Sequence, residues 1–138
     1  MIKTFPSRAL NVPIACPVER AYDFLVRPEH WPKWAVGLGD SFAQVDGLDG
    51  VWVASGPDGP VRVRFSPPNG YGVLDHWVTL PSGEELYMPV RLVANGEGCE
   101  VVFTLYRTPG MTDAIFARDA GWVERDLRAL KRILEAEG

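Results

Sequence analysis

Residues 51–105 read VWVASGPDGPVRVRFSPPNGYGVLDHWVTLPSGEELYMPVRLVANGEGCEVVFTL and decide the fold of this chain. Apolar and polar residues alternate through most of the stretch, and short runs of Gly, Pro, Asn and Asp interrupt it repeatedly. Alternation with a period of two predicts strands with one buried face, and the interruptions predict tight turns. The stretch therefore predicts a series of antiparallel strands joined by hairpins.

Four turns predict the register of these strands, because turn residues and loop length determine which residues face each other across a hairpin. Pro57-Asp58-Gly59 and Pro81-Ser82-Gly83 fit three-residue loops with Gly in a left-handed conformation. Asn69-Gly70 and Asn95-Gly96 fit two-residue loops. The predicted cross-strand pairs are Val53 with Val63, Val63 with His76, His76 with Met88, and Val90 with Val101. All four turns place the same alternate residues on one face, which we expect to be buried.

The predicted buried face carries one titratable residue, His76, among Val, Leu, Met, Phe and Cys side chains. A lone imidazole on an apolar wall indicates where a site would lie. Trp52, Trp77 and Tyr87 fall on the opposite, outer face of the sheet, together with arginines. Pro89 lies within a predicted strand, where it lacks the N–H that the ladder requires, so we expect a bulge there.

The segments on either side of these strands predict further elements. Residues 4–15 predict a first strand, residues 17–27 a short helix that a proline begins and another ends, and residues 29–34 a second short helix or turn. The last element is a long amphipathic helix over about 111–136, with Thr112 as a candidate N-cap. Its apolar stripe consists of Phe116, Ala120, Val123, Leu127, Leu130 and Leu134.

Together these elements predict an α+β fold, in which a strongly curved antiparallel sheet of about six to seven strands wraps around the long C-terminal helix. Two short helices follow the first strand. The apolar face of the sheet needs a cover, and the long helix is the element able to supply it. A sheet that wraps a helix without touching it everywhere leaves a cavity, where small apolar ligands usually bind. We expect residues 1–138 to form a single domain.

The composition argues against several classes of function. The chain has 14 Lys and Arg against 18 Asp and Glu and contains no basic run, so nucleic-acid binding has no electrostatic support. No apolar stretch is long enough to span a bilayer, and the N-terminus lacks the apolar core of a signal peptide, which predicts a cytoplasmic protein. Cys16 and Cys99 are too few for a disulfide framework. The histidines and cysteines have no metal-ligand spacing, and we expect neither a metal nor a cofactor.

The chain resembles the helix-grip superfamily that includes the birch-pollen allergen, START lipid-transfer domains and polyketide cyclase/dehydrase-like proteins (SRPBCC). The resemblance covers essentially the whole chain and is carried by IACPVERAYDFL at 14–25, PEHWPKW at 28–34 and GWVERDLRALK at 121–131. It implies the same fold and a cavity between the sheet and the long helix. Members include binders, carriers, cyclases and hydrolases, so the resemblance implies a class of ligand but no particular reaction.

We expect the cavity to be lined by inward residues of the strands, by the tryptophans of the short helices and by aromatic residues of the long helix. The predicted ligand-binding residues are His76, Trp31, Trp34, Val63, Leu74, Met88, Phe103, Phe116 and Trp122. For the aromatic and aliphatic members, ordinary core packing is the alternative interpretation. For His76 the alternative is a core histidine that bonds to the backbone or to buried water.

Catalysis by His76 would benefit from an acidic partner. Its sequence neighbour Asp75 points to the other face of the sheet. Asp119 or Asp126 of the long helix could reach inward, although a solvated helix surface is the plainer interpretation of both.

Three functions stay open at this point. The first is binding of a small, partly apolar ligand such as a lipid, an isoprenoid or an aromatic polyketide. The second is a polyketide cyclase or dehydratase with His76 as general acid or base. The third is a protein-interaction module, resembling relatives that activate a chaperone ATPase, with a filled interior and an active outer face. The residues of that face are Trp52, Arg62, Arg64 and Trp77, and Trp52, Trp77 and Tyr87 are also candidates for a homodimer contact.

Overall fold

The computed structural model describes residues 1–38 and 41–136 of the chain. Its elements are β1 (Ser7–Ile14), α1 (Val18–Leu25), two 3₁₀ helices (Pro28–Lys33 and Val36–Leu38), β2 (Phe42–Gln44), β3 (Val51–Ala54), β4 (Val61–Phe65), β5 (His76–Thr79), β6 (Glu85–Met88), β7 (Val90–Asn95), β8 (Gly98–Tyr106) and α2 (Asp113–Ala136). The class is α+β, as predicted. The described residues form eight strands rather than the six or seven predicted, because Pro89 divides one predicted strand into β6 and β7.

The strands of the described residues form two antiparallel sheets that meet at Pro89. One sheet has the order β2-β3-β4-β5-β6, and the other has the order β1-β8-β7. Pro89 cannot donate a ladder hydrogen bond, and the chain passes there from the edge of the larger sheet into the smaller one. Its carbonyl still accepts a hydrogen bond from the N–H of Thr104 in β8, at 3.1 Å. The expected bulge is therefore a complete break, which supplies the sharp curvature of the strand layer.

The β5–β6 hairpin has the predicted register, with His76 facing Met88. Gly83 adopts a φ of 91°, the left-handed conformation that its three-residue loop requires. The β4–β5 and β7–β8 hairpins lie two residues from the predicted register, so that Phe65 rather than Val63 faces His76. A shift of two residues keeps every side chain on its predicted face.

Asn69 explains the shift between β4 and β5. Its side-chain oxygen accepts hydrogen bonds from the N–H groups of Tyr71 at 2.9 Å and Val73 at 3.1 Å. Its side-chain nitrogen donates to the carbonyls of Pro67 at 3.1 Å and Val73 at 2.9 Å. These bonds organise residues 66–75 as a wide loop in place of the predicted two-residue hairpin.

The register predicted for β3 is wrong by one residue, because Trp52 rather than Val53 faces Val63. The connection from β3 to β4 spans residues 55–60 and contains two left-handed glycines, Gly56 with φ 60° and Gly59 with φ 121°. The three-residue loop predicted for this turn is therefore replaced by a longer one.

A shift of one residue exchanges the two faces of a strand. Trp52 lies on the inner face of β3, where its ring stacks on Phe42 with 4.7 Å between centroids, while Val53 is 38 % exposed. The prediction that Trp52 joins Trp77 and Tyr87 on the outer face is therefore wrong.

The helices follow the predicted pattern closely. Pro17 precedes α1 as its N-cap rather than forming its first turn, and the Oγ1 of Thr112 caps α2 by accepting the N–H of Ile115 at 3.1 Å. The buried residues of α2 are Ala120, Leu127, Leu130 and Leu134, all members of the predicted stripe. α2 packs mainly against β1 of the smaller sheet, which leaves space between α2 and the larger sheet.

Candidate ligand-binding cavity

A cavity of about 210 Å³ lies between the larger sheet and α2. The predicted site residues that line it are His76, Trp31, Trp34, Val63, Met88, Phe103 and Trp122.

Leu74 and Phe116 are not among the lining residues. Leu74 is buried in the core because its N–H bonds to the carbonyl of Val90 in β7 at 2.8 Å, away from the larger sheet. Phe116 packs against the core from the first turn of α2. Ligand contact by any lining residue stays a prediction.

His76 begins β5 and is only 7 % exposed. The rings of Trp31, Phe65 and Phe103 lie 4.9, 6.0 and 6.1 Å from the imidazole, between centroids. The Nδ1 of His76 is 3.5 Å from the carbonyl oxygen of Leu74, a long contact. Because a carbonyl can only accept, this contact favours the tautomer with the proton on Nδ1, in which Nε2 is an acceptor. Nε2 has no hydrogen-bond partner within the described part of the chain.

The imidazole of His76 is neutral at pH 7. Burial lowers its pKa from 6.5 to about 4, which outweighs the opposing effects of the Leu74 carbonyl and the Asp75 charge. Asp75 is engaged elsewhere, since Arg91 donates to its carboxylate through Nε at 2.9 Å and Nη2 at 2.8 Å. His76 is therefore suited to accepting a hydrogen bond and has no carboxylate to orient it as a base.

Asp119 and Asp126 of α2 both line the cavity, seven residues apart on one face of the helix. Burial raises the pKa of Asp126 to about 6, although the N–H of Val36, at 3.2 Å, and the nearby Arg125 oppose the shift. Burial also raises the pKa of Asp119, against the lowering effect of Arg118. Both aspartates are therefore partly buried along the cavity, and the interpretation of both as solvated surface positions of the helix is wrong.

Arg118 also lines the cavity and was not predicted from the sequence. It donates through Nη2 to Asp58 at 3.0 Å and to Asp119 at 3.1 Å, and its guanidinium lies 4.3 Å from the ring centre of Trp122. Asp58 belongs to the loop between β3 and β4, so the ion pair joins that loop to α2. Arg118 and Asp58 are 60 positions apart in the chain, and no local sequence pattern connects them.

Trp31 and Trp34 are each 3 % exposed, with ring centroids 4.7 Å apart. The Nε1 of Trp31 donates to the carbonyl of Leu25 at 2.8 Å and ties the first 3₁₀ helix to α1. The Nε1 of Trp34 is buried and has no partner among residues 1–38 and 41–136. An unpaired buried donor costs about 1–3 kcal/mol, so Trp34 is the less satisfied of the two.

The outer face of the larger sheet is largely covered by its own contacts. Trp77 and Tyr87 stack with 5.4 Å between centroids, and the guanidinium of Arg64 lies 4.2 Å from the ring centre of Trp77. The hydroxyl of Tyr87 donates to Asp75 at 2.6 Å. With Trp52 on the inner face, the outer apolar patch is smaller than predicted.

The part of the chain that the structure describes contains no group of three or more His, Cys, Asp or Glu side chains placed to hold a metal ion. No helix in that part is long and apolar enough to cross a membrane. Cys16 and Cys99 are both buried free thiols.

Comparison with solved structures identifies the fold. No family model and no curated protein matches the sequence. Ara h 8.0201 superposes with a TM-score of 0.74 over 96 % of this chain and 99 % of that chain, at 15 % identity. The chain has the helix-grip fold. DynU16, from the dynemicin biosynthetic locus, matches 94 % of this chain and 47 % of its own at 17 % identity, with a TM-score of 0.67. The Aha1 dimer from Colwellia psychrerythraea matches 94 % of this chain and 96 % of that chain at 16 % identity, with a TM-score of 0.69.

The helix-grip fold is the one that the resemblance to the SRPBCC superfamily implied. At these low identities the likenesses show the fold alone, and a fold by itself does not specify a function. The function must therefore be argued from the cavity of this chain.

Proposed function

We propose that the cavity binds a small, largely apolar molecule with about one or two rings. The observation that carries the proposal is a partly open cavity of about 210 Å³ with a mainly apolar wall and a buried, neutral imidazole. Such a wall supplies affinity by burying ligand surface, at about 25 cal/mol per Å² before ordering costs. A few polar groups then orient the ligand.

The size of the cavity narrows the class of ligand. An engineered cavity of roughly 150 Å³ holds benzene, so about 210 Å³ suits a ring with several additional atoms. A long acyl chain would have to extend out past Arg118 and the loop at residues 55–60. Among lipids, isoprenoids and aromatic polyketides, the volume favours a short isoprenoid or a compact aromatic molecule.

A cyclase or dehydratase that uses His76 as general acid or base is a weaker candidate. A pKa of about 4 makes the imidazole a weak base and leaves it unprotonated at neutral pH. General acid–base catalysis is most effective when the pKa of the group lies near the working pH. Asp75 supports the Arg91 ion pair rather than the imidazole, which also favours binding over proton transfer.

The protein-interaction alternative predicts a filled interior and an outer face that includes Trp52. The cavity and the inward position of Trp52 weigh against that alternative. Trp77 and Tyr87 stay candidates for a homodimer contact, although Arg64 already covers part of that surface.

A variant that fills the cavity tests the proposal. Val78 lines the cavity from β5, and Val78→Phe should occupy the space that a ligand needs. Thermal unfolding of the wild type with 2-phenylethanol and with 1-naphthol should show a rise in Tm. At a hundred times the dissociation constant, a ligand adds about 2.7 kcal/mol of stability, which corresponds to several degrees. We expect Val78→Phe to abolish this rise.

Val93→Phe is the matched control, because Val93 lies on β7 and is 47 % exposed. The same substitution there should leave the ligand-induced rise in Tm unchanged. An equal rise in Val78→Phe and the wild type would contradict the proposal, as would the absence of any rise with ring-sized compounds.

A further inference from the structure

Some polar side chains that line the cavity have hydrogen-bond or ion-pair partners within the protein, and others do not. The side chains without partners indicate which polar groups a ligand should carry. Arg118 already has partners within the protein, since it donates to Asp58 and Asp119 and stacks on Trp122. Asp126 is different. Only its Oδ1 has a partner, the N–H of Val36 at 3.2 Å, and it makes no ion pair within the described residues. A half-buried carboxylate with one oxygen free of protein partners can accept a hydrogen bond from a ligand that displaces water.

The surroundings of Asp126 suit a cationic donor. Its bond to Val36 places the carboxylate against the segment that carries Trp34, two residues earlier in the chain. Trp34 and Asp126 line the same cavity; one side of the Trp34 ring packs on Trp31, and the cation–π contacts of the described residues lie on other rings. An aromatic face beside a carboxylate is the combination that recognises organic ammonium groups.

Apart from Arg118 and the indole N–H groups, of which the buried Nε1 of Trp34 is a donor without a partner in the described part of the chain, the polar side chains that line the cavity present acceptors. His76 is 7 % exposed and lines the cavity with an unpartnered Nε2, which is a second acceptor. Among the lining residues, the carboxylates of Asp58, Asp119 and Asp126 stand against the single guanidinium of Arg118. An anionic ligand would therefore meet an excess of negative charge among the lining side chains.

We propose, resting on the binding function proposed above, that the ligand is a small organic ammonium ion with a ring-sized apolar body. The ammonium group binds Asp126 beside Trp34. The apolar body fills the space toward His76. The carboxylate of Asp126 therefore discriminates between ligands by charge, and the apolar wall near His76 discriminates between them by shape.

Three probes of similar size and different charge test this assignment: 2-phenylethylamine, 2-phenylethanol and phenylacetate. Their affinities are measured by titration calorimetry at pH 7.5 for the wild type, Asp126→Asn and Glu124→Gln. Asn keeps an oxygen that can accept the N–H of Val36. Glu124→Gln removes the same charge from α2, but Glu124 pairs with Arg8 at 3.2 Å and does not line the cavity.

We expect the wild type to bind the amine about tenfold more tightly than the alcohol, since the ammonium group adds a charge–charge attraction to the hydrogen bond that either probe can donate to the Asp126 carboxylate. Asp126→Asn should reduce this preference to about twofold or less, and Glu124→Gln should retain it. The affinity for 2-phenylethanol should be the same in Glu124→Gln and the wild type, and it should change less than the affinity for the amine in Asp126→Asn.

Equal affinities for the amine and the alcohol in the wild type would overturn the ammonium assignment while leaving the proposed binding function intact. A preference that survives in Asp126→Asn, or tighter binding of phenylacetate, would also overturn it. Binding of none of the probes would contradict the proposed function itself. The wild-type comparison needs no variant, so it decides the question even where Asp126→Asn folds poorly.

Discussion

The position of His76 illustrates what a polar side chain costs inside an apolar wall. Three aromatic rings surround it, and its hydrogen bond to the Leu74 carbonyl is long, at 3.5 Å. Burying a polar group without a good partner is unfavourable, and burying its charged form is far more so. A residue that weakens the fold at such a position is more readily explained by ligand contact than by packing.

Replacing His76 by Phe should remove a pH dependence of stability. Above pH 6.5 the imidazole is neutral in the folded and unfolded states. Between pH 6.5 and about 4 the unfolded chain binds a proton that the folded protein does not, so wild-type stability falls as the pH falls. The difference corresponds to about 3 kcal/mol. Urea unfolding at pH 7.5 and pH 4 should show a loss smaller by about this amount in His76→Phe.

We expect His76→Phe to be at least as stable as the wild type at pH 7.5, because a phenyl ring suits the aromatic surroundings better than an unpaired imidazole. Parallel stability curves for the two proteins between pH 7.5 and pH 4 would show that the pKa of His76 is not lowered by burial.

At the scale of elements, the two sheets are held together at the break at Pro89 by one buried carboxylate, that of Asp75. Asp75 precedes β5 and is 5 % exposed. It accepts hydrogen bonds from the hydroxyl of Tyr87 in β6, the N–H of Val90 and the guanidinium of Arg91 in β7. Burial alone would raise its pKa, but these donors together lower it. Asp75 thus joins both sides of the break at Pro89.

Asp75→Asn should destabilise the protein by about 2–4 kcal/mol, because an amide cannot accept from all of these donors and leaves the guanidinium without its partner charge. Glu85→Gln is the matched control, since Glu85 pairs with Arg64 at 3.8 Å on the exposed face of the larger sheet. That change should alter stability by about 0.5 kcal/mol or less. Similar urea midpoints for the two variants would contradict this role of Asp75.

At the scale of the whole molecule, α2 packs against β1 of the smaller sheet and stands away from the larger one. The cavity occupies the space between α2 and the larger sheet. The ion pair of Arg118 with Asp58, at 3.0 Å, connects the two walls at the end where loop 55–60 lies. A ligand that enters at this end must displace the loop, so the ion pair should govern exchange more than affinity.

Arg118→Gln should accelerate ligand exchange several-fold with little change in affinity or stability, because a partly exposed ion pair contributes about 1 kcal/mol or less. Stopped-flow tryptophan fluorescence with 2-phenylethanol measures both rate constants. Arg8→Gln is the control, since Arg8 pairs with Glu124 of α2 at 3.2 Å outside the cavity. Equal rate constants in Arg118→Gln and the wild type would show that the cavity opens elsewhere.

Local sequence patterns were sufficient for the class of fold, the order of the elements and the buried stripe of α2. They also identified the inner face around His76, Val63 and Met88, because alternation and turn chemistry operate over a few residues. They did not predict the length of the loop between β3 and β4, which contains two left-handed glycines, Gly56 and Gly59. The loop at residues 55–60 took a longer path than its Pro-Asp-Gly core indicated, and Trp52 changed face as a result.

The sequence by itself thus determined which side chains share a face from β4 to β8, since that depends on neighbours along the chain, but not in β3. Only the tertiary structure decided how far α2 stands from the larger sheet, and therefore the cavity of about 210 Å³. It also decided that Asp126 is half-buried, that Arg118 meets Asp58, and that the pKa of His76 falls to about 4. Each of these depends on the distance between elements remote in the chain, and burial sets the cost of charge only after those elements have packed.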